Sequence, residues 1–391
     1  AMVTIDSIGL FYEKFIRVRK SLDPTLEIDH VMFSSLHDHE APDTMGIWSY
    51  SLLRPDFGHD YLERVLVACK EAVEEAVRSL EPAEMICAEV QIDPKGFVND
   101  TRPPICYDLK LCCMRFVRVG TEETIATMIS WGNHPEALGG SNNWITSDFP
   151  HYLRRGLEEG VSGPNGCEGF GGMCLYFQGP LGGLMTPLHL EVPHRDGERV
   201  FKEASFEKAQ ALGENVAVVA ADALRGPTAW RQSKPKLAVV AKTVYLPVRG
   251  HYRYAIMFGL VHPGYHWGGK ARSEINVIRI GDVECLTCPG ELYPEIADGG
   301  IEAPAGADFG IPPVEVPPLR SVMKGRMNLL IGLANDEIGY LIPKSQWDTE
   351  PPFTYGREKA PYGEINSPGP DTAYAYHRQA VALVERMNAA F

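Results

Sequence analysis

Four apolar runs in this chain lead toward side chains that can bind or react. Val31–Leu36 leads into His37-Asp38-His39, and Thr124–Trp131 leads through Gly132-Asn133 into His134. Asp282–Thr287 ends at Cys288-Pro289-Gly290-Glu291, and Met327–Leu333 is followed by Ala334-Asn335-Asp336 and, shortly after, Tyr340. Residues at strand ends, held by a rigid sheet, are where α/β proteins assemble their sites.

The rest of the chain supplies helices between the strands. Phe11–Leu22 is amphipathic and stops before Asp23-Pro24. In Tyr61–Leu80, the residues Leu62, Val65, Leu66, Cys69, Val73 and Val77 recur at helical spacing, and Glu81-Pro82 ends the run. Ser147–Gly160 reads as a helix that Ser147 or Asp148 can cap, Val200–Leu224 as mostly helical, and Thr372–Met387 as a closing helix. Further strands are expected at Ala83–Val90, Leu109–Val119, Met173–Phe177, Leu237–Val248 and Ile275–Ile280. Asp93–Pro104, Ala303–Pro318 and Trp347–Pro370 read as loops. No linker, repeat or low-complexity tract interrupts the alternation. The expectation is one large α/β domain, residues 1–391, with mixed β-sheets flanked by helices. Met2–Leu10 already reads as a core strand with no lead-in, which suggests that an N-terminal portion of the domain is missing.

Composition narrows the partners. The 391 residues carry a net charge of −14, which argues against nucleic acid, since phosphate binding needs a basic face. No run of about 18 apolar residues occurs, so no transmembrane helix is expected. Nine scattered cysteines, with one vicinal pair at Cys112-Cys113, read as buried small apolar residues rather than a disulfide framework. Nothing in the chain fixes the oligomeric state or the compartment.

If Val31–Leu36 is a strand, alternation puts His37 and His39 on one face. Two imidazoles and a carboxylate make an ordinary zinc set with a position open to water. Each piece also has a plain structural reading. His134 before Pro135 can be a strand-end hydrogen-bonding residue, Glu291 an exposed turn carboxylate, and Tyr340 a packed aromatic.

A family resemblance joins the pieces. Ser35-Leu36-His37-Asp38-His39-Glu40-Ala41-Pro42 resembles the S-x-T-H-T-H-S-G-P stretch of the neutral/alkaline non-lysosomal ceramidases. Ser130-Trp131-Gly132-Asn133-His134-Pro135, with Ser141-Asn142-Asn143 and Ser147-Asp148 beyond, is similar to that family's S-W-F-A-x-H-P segment and the N-N-x-N and S-D that follow it. Cys288-Pro289-Gly290-Glu291-Leu292 resembles its P-G-E-F segment, and Gly332–Tyr340 its G-L-x-N-x-Y-x-x-Y. The resemblance implies the ceramidase catalytic-domain fold. It also implies one zinc ion on His37, His134, Glu291 and Tyr340, and hydrolysis of an amide in a small N-acyl substrate by metal-activated water. His39 would then contact the water, the oxyanion or the leaving amine, or else only orient His37.

The departures lie on the substrate side. Phe177–Pro187 keeps the spacing of the family's phenylalanine-to-proline stretch, but Leu184 replaces the aspartate and Thr186 the serine of G-D-x-S-P. Threonine keeps a hydroxyl that can donate to an oxyanion. Asp38 and Glu40 replace threonine and serine, adding negative charge and pointing away from ceramide toward a more polar or cationic substrate. Asp38 itself is expected to face outward, and Asn142 and Asn143 to line the pocket or to bond within their own loop. With the closing helix at the end of the chain, no counterpart of the immunoglobulin-like domain of larger ceramidases is expected.

Two alternatives remain. A metal-containing binding or carbohydrate-associated protein could keep these residues without catalysis. An unrelated H-x-H metallohydrolase would need either Asp-His where Ala41-Pro42 stand, or an eightfold βα repeat that this chain lacks.

Overall fold

Two five-stranded sheets form the centre of the protein. The structure, a computed structural model, describes residues 1–47, 59–250, 253–254, 265–266 and 270–390. The first sheet runs Trp230–Gln232, Ala83–Gln91, Lys110–Arg118, Thr124–Trp131 and Met173–Gln178 across its width. Its neighbours are antiparallel except the last pair, which is parallel. The second runs Leu237–Pro247, Lys270–Ile280, Val283–Thr287 and Met327–Ile331, with Tyr265–His266 added beside Lys270–Ile280. Its last pair is also parallel. This is the mixed α/β architecture expected from the alternating pattern, and neither sheet is an eightfold βα barrel.

Strand alternation explains the layering. Met85, Cys87, Cys112, Met114 and Met128 of the first sheet meet Val283, Cys285, Met327, Leu329 and Ile331 of the second in one buried cluster. The intervening residues, including Ala88, Leu111, Cys113, Ile129 and Trp131, face the helices Asp148–Glu158 and Phe206–Arg225. On the far side, Ile275, Val277, Leu286 and Leu330 pack against the helix Thr372–Ala390. The result is helix, sheet, sheet, helix. Cys285 and Cys288 stand in C-x-x-C spacing but belong to different clusters, on opposite sides of the second sheet. All nine cysteines are free thiols.

Local chemistry shifts some expected boundaries. The helix expected from Val200 begins at Phe206, because the Ser205 hydroxyl accepts from Lys208 N and caps it there. Val200–Phe201 instead pairs with Val192–Pro193. The loop Asp93–Pro104 contains a two-residue strand, Asn99–Asp100, paired with Met185–Thr186. Ser147 makes no side-chain cap; Asp148, with φ 49°, accepts from Phe149 N and Leu138 N instead.

The parallel strand ends are latched together by loop backbone. Ser35 N donates to Leu333 O, Asn335 N to Phe33 O, Cys288 N to Ile331 O and Leu333 N to Gly290 O. Gln178, fully buried, ties two more segments: its amide nitrogen donates to Leu36 O at 2.7 Å and Asn133 O at 2.8 Å, and its oxygen accepts from Asn133 N at 3.0 Å. The latch needs close backbone approach. A Cβ on Gly132 would lie 2.1 Å from Pro180 O, so no larger residue fits there.

Candidate metal centre

His37 reaches the centre by a left-handed turn. The strand stops at Ser35, and His37 has φ 61°. That conformation costs a non-glycine residue roughly 1–2 kcal/mol. It folds the chain so that His37 and His39 still converge, their ring centroids 4.9 Å apart. The convergence anticipated from strand alternation therefore arises from a turn. Pro42-Asp43 turn the chain next, with Asp43 accepting from Met45 N and Gly46 N.

His134 enters from the first sheet. Its ring centroid lies 5.0 Å from that of His37 and 5.7 Å from that of His39. One ring nitrogen from each of the three histidines lies within 4.8 Å of the others, a group able to hold a metal ion. His37 and His134 are buried, while the His39 side chain is 30% exposed.

Two backbone carbonyls fix the ring orientations. His37 Nδ1 lies 2.9 Å from Ile8 O, and His134 Nδ1 lies 2.6 Å from Met185 O. A carbonyl only accepts, so each Nδ1 carries the hydrogen and each neutral ring turns its Nε2 lone pair the other way. Both Nε2 atoms face Glu291 Oε2, at 3.5 Å from His37 and 3.1 Å from His134. Three lone pairs aimed together repel unless a proton or a cation lies among them. Ligands about 2.0–2.1 Å from a tetrahedral zinc ion stand about 3.3 Å apart, close to the spacing here.

Glu291 is presented together with Tyr340. Their short strands, Glu291–Leu292 and Tyr340–Leu341, pair in parallel with Glu291 opposite Tyr340. A Cβ on Gly290 would lie 2.5 Å from Gly339 O, so glycine permits this pairing.

Burial and neighbouring charges also perturb the ionisable groups of the site. Burial raises the Glu291 carboxyl above its ordinary range, against the hydrogen bond and charge of His134. Glu337 is pushed well above its range by burial and then by the charge of Glu291. Its Oε2 is buried and has no hydrogen-bond partner among the described residues. Burial, then the charge of Glu291, pushes Tyr340 well up. His37 is driven well down by burial and by the neighbouring histidines. For His134, burial acts downward, but the hydrogen bond to Glu291 and the charge of Glu136 prevail and raise it. A buried carboxylate, a phenol and a His37 imidazole that burial keeps from charging, beside His134, make a donor set that fits a divalent ion.

The mouth of the site differs from expectation. Asp38 does not face outward: it is buried, its Oδ1 accepts from Glu40 N, and burial pushes its carboxyl up to about 8. It therefore brings little negative charge at neutral pH. Glu40 is half-buried, and Asn142 Nδ2 donates to its Oε2 at 2.5 Å. Asn142 also closes its own loop through Trp144, so it serves both expected purposes, while Asn143 is exposed. Thr186 is buried, and its hydroxyl donates to Glu136 Oε1 while accepting from Leu188 N at 3.0 Å. Glu136 Oε2 lies 3.9 Å from His39 Nδ1. Tyr362 is exposed beside Tyr340, with ring centroids 6.2 Å apart. Glu136, Gln178 and Glu337 escaped the sequence reading. Only Glu136 carried a signal there, as a carboxylate two residues after a candidate ligand.

No protein-family model and no curated protein matches the chain. Solved structures do. The crystal structure of neutral ceramidase from Pseudomonas aeruginosa superposes with a TM-score of 0.70 at 14% identity, over 99% of this chain and 66% of that one. A ceramidase complexed with C2 superposes with a TM-score of 0.69 at 13% identity, over 99% of this chain and 67% of that one. The chain thus spans about two thirds of the length of these proteins. Likeness at this level of identity concerns architecture, and in architecture this chain is a divergent example of the neutral ceramidase fold.

Proposed function

We propose that this chain is a zinc-dependent hydrolase that cleaves the amide bond of a small N-acyl substrate. The observation that carries the reading is the convergence of His37 Nε2 and His134 Nε2 on Glu291 Oε2, with both Nδ1 atoms held by carbonyls. His37, His134, Glu291 and Tyr340 would hold the metal, in the order implied by the ceramidase-like motifs. When bound, the ion supplies Lewis-acid polarisation of a carbonyl and a source of hydroxide near neutral pH.

The chain's own residues do the rest. Ile8 O and Met185 O hold the two imidazoles in one tautomer and one orientation. The pairing of Glu291 with Tyr340 holds carboxylate and phenol side by side. His39, more exposed than the other two histidines, stands where it can hydrogen-bond a substrate oxygen or nitrogen. Thr186 is not free to do so, because its hydrogen is directed at Glu136. That bond favours a second reading, in which the metal group survives in a binding protein without turnover.

The deciding experiment is metal analysis of the purified protein combined with amine release from a panel of N-acyl substrates. One equivalent of zinc with turnover of at least one amide is expected. Bound zinc with no turnover of any amide or ester would leave the binding reading in its place. No described helix is long and apolar enough to cross a membrane.

A further inference from the structure

Glu136 stands between two groups that both bear on it. Its backbone is fixed from either side: Glu136 N donates to His134 O at 3.0 Å, and His39 N donates to Pro135 O at 3.2 Å. Its carboxylate is fixed at one oxygen. The Thr186 hydroxyl accepts from Leu188 N, so its hydrogen points to Glu136 Oε1. The other oxygen, Oε2, faces the His39 ring from 3.9 Å, beyond hydrogen-bond distance. Among the described residues no donor fills it, and the Glu136 side chain is 16% exposed. A carboxylate accepts several hydrogen bonds and donates none when ionised. Here one oxygen is anchored and the other is presented beside the three histidines. The nearby Glu40 is less available, because Asn142 occupies its Oε2.

We propose that Glu136 is the specificity-determining residue of this site: its Oε2 receives the N–H or ammonium group of the substrate's amine half, and Thr186 and His39 position it. The assignment rests on the hydrolase reading above and names its substrate class, an N-acyl compound whose amine half carries a cationic or strongly donating nitrogen. It also reverses the role expected for Thr186, whose hydroxyl serves the carboxylate rather than the oxyanion.

The test uses zinc-loaded protein and small probes at pH 7, where butylammonium has no lone pair to offer the metal. Calorimetry compares butylammonium with butanol. Wild type should bind the ammonium at least about tenfold more tightly, the scale of one charge-assisted hydrogen bond. Glu136→Gln should erase that ratio while keeping one equivalent of zinc. Thr186→Val, which leaves the carboxylate in place, should keep a ratio above that of Glu136→Gln. The proposal is overturned if Glu136→Gln keeps the wild-type ratio, if it loses its metal, or if Glu40→Gln or Thr186→Val alone erases the ratio. The two readings fail separately. Ammonium preference without hydrolysis of any amide removes the hydrolase reading, whereas amide hydrolysis without the preference removes only this role of Glu136.

Discussion

The two walls of the centre are built on different principles. On the inner wall, His37, His134, Glu291 and Tyr340 are buried, and backbone sets every one of them: two carbonyls behind the imidazoles, a strand pair behind the carboxylate and the phenol. On the outer wall the carboxylates of Glu40 and Glu136 are held by side chains, those of Asn142 and Thr186, although the backbone there is hydrogen-bonded too. Backbone contacts tolerate sequence change, because any residue supplies a carbonyl. Side-chain contacts change with the residues that make them. The orientation of the proposed metal ligands therefore depends less on the identity of neighbouring side chains than the orientation of the outer groups does.

The largest expected effect follows directly. His134→Ala and Glu291→Ala each remove one of the converging donors and leave the others facing a gap. Both variants should lose stoichiometric zinc, measured by metal analysis after dialysis, with the fold retained by circular dichroism. If both kept full metal, the ligand assignment would be wrong and the inner wall would be merely a packed polar core.

A smaller effect should come from a residue that touches no ligand side chain. Gln178 joins the His37 and His134 segments through three buried hydrogen bonds. Gln178→Ala leaves Leu36 O, Asn133 O and Asn133 N short of partners, at about 1 kcal/mol or more for each. The expected loss is about 3 kcal/mol in stability and about 10- to 100-fold in zinc affinity, read by denaturant unfolding and chelator competition. A loss of stability without loss of affinity would mean that the two histidines are oriented by Ile8 and Met185 alone.

These three variants also mark the limit of what the sequence reveals. His134 and Glu291 are legible because each follows an apolar strand and sits in a short motif with Pro or Gly beside it. The layers are legible too, since alternation along Ala83–Gln91 and Val283–Thr287 sorts residues to opposite faces. Gln178 looks in sequence like any polar residue at a strand end. Its three bonds reach 45 and 142 residues along the chain, and nothing local encodes them. The carbonyls of Ile8 and Met185 leave no trace in side-chain identity at all. Asp38 misleads for a related reason: a charged residue between two histidines reads as exposed until the left-handed turn at His37 carries it inward.

The smallest effect is the sharpest test of whether the walls are separate. Asn142 binds Glu40 and bonds Trp144 in both directions, in a loop whose Trp144 and Ile145 are largely exposed. Solvent replaces most of what these bonds supply, so Asn142→Ala should cost about 1 kcal/mol or less. For a chain of this size that is about 2 °C in Tm. Zinc affinity should stay within about twofold, because no inner-wall donor bonds to Asn142; the same chelator competition reads it. The loosened Glu40 side chain should instead alter binding at the mouth, raising or lowering the butylammonium-to-butanol ratio. A tenfold loss of zinc affinity in Asn142→Ala would break the comparison, since the outer wall would then be setting the metal after all.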